Sequence, residues 1–124
     1  MNNYVYQKMT FKEINKVLAD CFICILATTH HNISYLVPMY FEYDNTFNEP
    51  RFILESKNQS QKINYLKANN QVSLFIQYND TDSYKTIVVN GKASLKKLDA
   101  SCSYHNMTKI TVQVQEITGR IYQK

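Results

Sequence analysis

Residues 84–98 read YKTIVVNGKASLKKL, a long strand-forming run with Gly91 in its middle. Glycine has no side chain to pack and weakens a strand interior. Within a strand it marks a bulge or a sharp bend, as at the corner of a barrel. A run that must bend halfway along restricts the remaining strands to curved architectures.

Five other segments read as strands. Residues 21–29, CFICILATT, are an unbroken apolar run whose length and β-branching predict a strand buried on both faces. HHNI carries a turn into ISYLVPMYFEYD, where Tyr35, Val37, Met39, Phe41 and Tyr43 alternate onto one face. These two runs form a hairpin. Pro38 interrupts the second of them; lacking an N–H, it belongs at a sheet edge or a bulge. After a turn at 44–50, RFILES (51–56) is the third strand and QVSLFIQY (71–78) the fourth. The Gly91 run is the fifth. ITVQVQEI (110–117) is the sixth, with Ile110, Val112 and Val114 facing in.

Two short helices complete the pattern. Thr10 and Glu13 have capping-box spacing, Met9 and Ile14 are placed as a hydrophobic staple, and Ile14, Val17 and Leu18 form one apolar face, so a helix runs from about 11 to 19. The second helix starts near Lys62, carries Ile63 and Leu66 on one side and ends near 68–70, with Asn58 and Gln61 as its capping pair. The 124 residues, 44% hydrophobic with ten Tyr and six Phe, fit one domain over 1–124 with a single core. Nothing repeats internally. The expected fold class is mainly β: a six-stranded, largely meandering antiparallel barrel, which closes its edges rather than exposing them.

Several function classes are disfavoured. The net charge of +4 is spread over scattered lysines without the basic runs that nucleic acid requires. No segment reaches the roughly 18 apolar residues that span a bilayer, and MNNYVYQKMTFKE lacks the apolar core of a signal peptide, so a cytoplasmic location is expected. Three cysteines argue against a disulfide framework. Cys21 and Cys24, three apart in a strand, point to opposite faces and share no metal; Cys102 stands alone. His30 and His31 sit in a turn and His105 in a later loop, none with a second ligand at metal spacing. No Ser-His-Asp set, glycine-rich phosphate loop or paired carboxylates stand out.

One polar segment remains, SKNQSQKINYL at 56–66. A helix N-terminus offers unpaired N–H groups and partial positive charge, which favours phosphate. Ser56 supplies a hydroxyl at the end of the third strand. Lys62 falls in the first turn, where a cation is poorly placed unless an anion sits beside it. Two readings stand at this point: an anion site, or a plain capped helix with a solvated lysine.

In this order and spacing, LVPMYFEYD (36–44), RFILES, KINYLKANNQVS (62–73), TIVVNGKA (86–93) and ITGRIY (117–122) resemble the pyridoxamine 5′-phosphate oxidase-like, FMN-binding split-barrel family. The likeness is to its short, nitroimidazole-resistance-type branch and covers roughly residues 10–121. It implies a six-stranded split barrel and a homodimer with two FMN molecules between the subunits. Leu36, Val37, Pro38 and Met39 would run beside the flavin ring and ribityl chain. Glu55 and Ser56 occupy the family's pair at the end of the third strand, and Gln61 and Lys62 its phosphate-binding pair. Thr86 stands where a polar side chain near the ring is usual.

The resemblance further implies an FMN-dependent oxidoreductase for a small electrophile, a nitroaromatic being one candidate, with NAD(P)H as one electron donor. The substrate would stack near Tyr40 and Tyr84. The chain ends at Lys124 without the C-terminal strand and Arg/His pattern of true pyridoxamine phosphate oxidases, so vitamin B6 oxidation is not the expected activity. Gln61 in place of a basic residue, Ser60 in place of glycine, Glu55 in place of an aromatic or His, and Leu36 in place of Arg depart from the family pattern. They keep two alternatives open: a flavin- or haem-binding module without turnover, and a degenerate dimer that no longer binds cofactor.

Overall fold

A computed structural model of the chain describes residues 5–98 and 106–124; Cys102 and His105 lie outside them. The elements follow as β1 (Tyr6–Lys8), α1 (Phe11–Leu18), β2 (Ile23–His30), β3 (Ile33–Tyr40), β4 (Glu42–Asp44), β5 (Arg51–Lys57), α2 (Gln61–Ala68), β6 (Gln71–Asn79), β7 (Ser83–Lys97) and β8 (Met107–Gln123). The strands form one antiparallel sheet in the order β3-β2-β6-β7-β8-β5-β4, with β1 added on β8.

The expected mainly-β barrel is present, with eight strands among the described residues instead of six. One extra strand is β1, three exposed residues with no apolar pattern to announce them. The other arises because the run 33–44 divides at Phe41. Its first half pairs with β2 and its second with β5. The first and last strands of the sheet order are therefore two halves of one bent run, joined through the chain at Phe41. Phe41 is buried at this junction, and its N–H donates to the Phe22 carbonyl at 3.0 Å. Pro38 sits on β3, an end of the strand order, as a residue without an N–H requires.

Gly91 marks the other bend. The β7–β8 register shifts between Asn90 and Gly91, where Glu116 and then Val114 are the partners. A Cβ at Gly91 would collide with the Gln113 carbonyl oxygen and lie 2.9 Å from Val112 Cγ1. The glycine is required by this close approach, since its φ is not positive. β8 starts earlier and ends later than the expected 110–117 because it is the spine of the sheet, pairing with β7 along its length and with β5 and β1 on its other edge. The β2–β3 hairpin turns on His31 and Asn32, with φ of 51° and 61°, the left-handed pair that matches strand twist.

The interior is filled by Leu26, Phe52, Leu54, Ile87, Val89, Ile110 and Val112, all but closed to solvent. α1 forms the predicted capping box and buries Ile14, Val17 and Leu18. Its seat depends on Gly119: a Cβ there would lie 2.8 Å from Ile14 Cγ1 and 2.9 Å from Met9 Sδ. The Tyr43 hydroxyl, 2.5 Å from Asn15 Oδ1, ties β4 to the same helix.

The expectation that β2 is buried on both faces is overturned. Cys24, Leu26 and Thr28 are buried, but Phe22, Ile23 and Ile25 are 62%, 48% and 38% exposed. Period-two logic identifies which residues share a face, but an apolar run does not reveal whether both faces are covered by the same chain. Ile25 lies in register with Pro38 on one side and Phe75 on the other, and Phe75 with Val88. An apolar row therefore crosses four strands on the outside of the barrel.

Candidate functional site

The bend at Phe41, the end of β5 and the start of α2 enclose a cleft of about 890 Å³. β5 alternates strictly: Phe52, Leu54 and Ser56 point inward and Glu55 and Lys57 outward. Ser56 is the last inward side chain and is buried, with its hydroxyl 3.1 Å from that of Ser60.

Ser60, not Asn58 with Gln61, caps α2. Its backbone is extended and its Oγ accepts the Ile63 N–H at 3.4 Å. Asn58 is engaged elsewhere, accepting from the Thr108 hydroxyl and donating its N–H to the Asn106 carbonyl at 2.8 Å. The amides of Gln61 and Lys62, in the first turn, have no intrahelical acceptor. Lys62 lines the cleft and is half-buried; burial pulls its ammonium below the usual lysine range. The ion pairs among the described residues are Arg51–Asp44 and Lys85–Asp80, so no carboxylate pairs with Lys62 there.

The rest of the lining includes aromatic and acidic side chains. Phe22 and Tyr40 stack with ring centroids 6.2 Å apart and 16° between planes. Glu42 and Glu55 also line the cleft; Glu42 is in register with Ile53, two residues before Glu55 on the same outward face. The lining thus combines serine hydroxyls and lysine ammonium groups with stacked rings and two carboxylates.

Of the residues singled out from sequence, Pro38, Met39, Glu55, Ser56 and Lys62 meet in this cleft. Leu36, Val37, Gln61 and Thr86 do not line it. Val37 packs against the core. Gln61 is exposed, and its amide donates to the Tyr65 hydroxyl at 3.4 Å. Leu36, 64% exposed, and Thr86 lie on the outer face that carries Pro38, Phe75 and Val88. Tyr40 lines the cleft while Tyr84, placed near it from sequence, does not. Sequence reasoning missed Phe22, Glu42, Gln59 and Met107 in this wall. Alternation from Tyr40 would have placed Glu42; Met107 enters because it lies in register with Lys57, which no local pattern reveals.

The remaining candidates stay chemically quiet. Cys24 is buried, which pushes its thiol up to about 12, while Cys21 lies in the turn before β2, not in the strand. The His30 and His31 rings lie 3.8 Å apart, tilted by 45°, and His30 meets Tyr65 edge-on; among the described residues no cluster of three His, Cys, Asp or Glu is built to hold a metal. No helix among them is long and apolar enough to cross a membrane.

No protein-family profile matches the chain, and no curated protein matches it in sequence. Solved structures match in shape. An FAD-binding protein from Mesorhizobium loti superposes with a TM-score of 0.83 at 17% identity, over 98% of this chain and 100% of that one. A candidate 5-nitroimidazole antibiotic resistance protein from Bacteroides thetaiotaomicron gives 0.75 at 19% identity, over 98% and 90%. A candidate pyridoxamine 5′-phosphate oxidase from Listeria innocua gives 0.71 at 17%, over 86% and 94%. The chain therefore has the split-barrel fold shared by flavin-binding and pyridoxamine phosphate oxidase-like proteins.

Proposed function

We propose that the cleft binds a flavin, FMN, with its phosphate at the Ser56, Ser60 and Lys62 corner and its ring along the Pro38–Tyr40 wall. The observation that carries this reading is Lys62: a half-buried ammonium in a helix's first turn, beside two serine hydroxyls, with no carboxylate partner among the described residues. Burial and the helix dipole both disfavour a cation there, and a phosphate dianion would offset both. The fold is that of proteins named for flavin binding.

Bound FMN would supply hydride or electron transfer. The chain would hold the phosphate, set the ring against the β3 wall and add negative charge through Glu42 and Glu55. The activity we assign is reduction of a small electrophile, with NAD(P)H as donor and a nitroaromatic as one acceptor. The working unit is a homodimer, supported by the exposed apolar row Pro38, Ile25, Phe75 and Val88, which a second copy would cover. Leu36 and Thr86, on that same face, would then meet the cofactor at the subunit junction.

A purified sample titrated with FMN should quench flavin fluorescence and gain thermal stability, and should oxidise NAD(P)H when an acceptor is added. Binding without turnover would favour a flavin carrier; no binding would remove the reading. A degenerate dimer without cofactor is favoured by Gln61, whose amide turns to Tyr65. Gln61→Lys, restoring the absent charge, should tighten FMN if the corner is a phosphate site and leave it unchanged if not.

A further inference from the structure

The cleft continues into a second depression of about 850 Å³, with which it shares Lys57, Gln59 and Met107. Asn58, Lys67, Lys97 and Asn106 complete the described wall. Its three lysines come from the ends of three elements: Lys57 closes β5, Lys67 lies in the last turn of α2 and Lys97 closes β7. β8 runs between two of them, with Met107 in register with Lys57 on one side and Thr108 with Lys97 on the other. No carboxylate lies among the described lining residues, and none of the three lysines joins an ion pair there.

The helix dipole accounts for Lys67 at a C-terminal turn. It does not account for Lys57 and Lys97, which end strands and add like charge to the same hollow. Three ammonium groups amid amide donors raise the local concentration of a polyanion. The main cleft, with Lys62 and the shared Lys57, suits one phosphate; the annex adds two further cations.

We propose that this annex binds the diphosphate of an adenine dinucleotide, continuous with the flavin phosphate corner. The inference rests on the flavin reading for its placement. The shared chemistry has two sources: a flavin adenine dinucleotide spanning both hollows, or a nicotinamide dinucleotide docking beside bound FMN. The annex lysines would hold the diphosphate as point charges, and the amides of Asn58, Gln59 and Asn106 would donate to its oxygens or to the sugar.

The test compares the chain with the double variant Lys67→Gln/Lys97→Gln, whose altered positions are exposed and lie outside the flavin corner. FMN and FAD are titrated by flavin fluorescence, and ADP by calorimetry. The variant should keep its FMN affinity and lose about tenfold for ADP, the combined effect of two exposed ion pairs. FAD binding tighter than FMN, and weakened in parallel with ADP, identifies the flavin dinucleotide. FAD no tighter than FMN, with a raised KM for NADPH in the variant, identifies the reductant. Equal ADP affinity in the two proteins, or none in either, overturns the proposal. If FMN fails to bind while ADP remains sensitive to the variant, the flavin reading falls and the diphosphate site stands.

Discussion

Lys62 carries a cost that the fold does not recover by itself. Its ammonium is partly desolvated and faces the positive end of α2. Lys62→Met should raise the thermal midpoint of the ligand-free protein and weaken FMN about tenfold, the value of one hydrogen bond to a charged group. Riboflavin, which has no phosphate, should bind both proteins alike; calorimetry with the two ligands checks this. Asp44 shows the opposite balance. Hydrogen bonds from the Thr46 hydroxyl, then from Arg51, and from the Thr46 amide hold its carboxyl down at about 2. Its folded pKa lies below the unfolded value near 3.9. The stabilisation is therefore complete above about pH 4 and lost as pH falls toward 2. Asp44→Asn should flatten the stability profile in that window, as read by urea denaturation at successive pH values.

At the scale of elements, the two glycines make a contrast. Gly91 is pressed against the Gln113 carbonyl, which the β7–β8 ladder holds in place. Gly91→Ala should cost about 1–3 kcal/mol in urea-unfolding measurements, the usual range for overpacking. Gly119 faces the Met9 and Ile14 side chains, which can shift, so Gly119→Ala should cost less. Much at this scale was legible in sequence. The alternation of Tyr35 through Tyr43, the α1 capping box and the bend at Gly91 are local patterns, and each appears where expected. The rest depends on non-local partners. No window around Phe41 says that the chain changes neighbours there, and none around Met107 says that it meets Lys57. Ser60 departs from the glycine pattern in sequence, and its role as helix cap shows only in the backbone. The same limit applies to the site: Tyr40 and five of the expected cofactor residues were readable, while those brought in by strand register were not.

The whole molecule leaves an apolar row uncovered across β3, β2, β6 and β7. Phe75 stands at its centre, 36% exposed and in register with Ile25 and Val88. Phe75→Lys should leave the barrel folded by circular dichroism while shifting sedimentation from dimer to monomer. If the cofactor sits between subunits, FMN affinity should fall with it. A monomeric starting protein would remove the dimer reading. The row also explains why CFICILATT reads as a doubly buried strand: its apolar residues fall on both faces, and among the described residues only one face is covered.

The partner exchange at Phe41 gives the cleft a mechanical role. Its walls come from both sides of the seam where the cylinder is fastened, so an occupant works as a rivet, gripping β3 and β5 at once. Loading the site would tighten the barrel where no strand ladder joins β3 to β5. Amide exchange at Tyr40, Phe41 and Glu42 should slow more on ligand addition than at the far end of the cylinder.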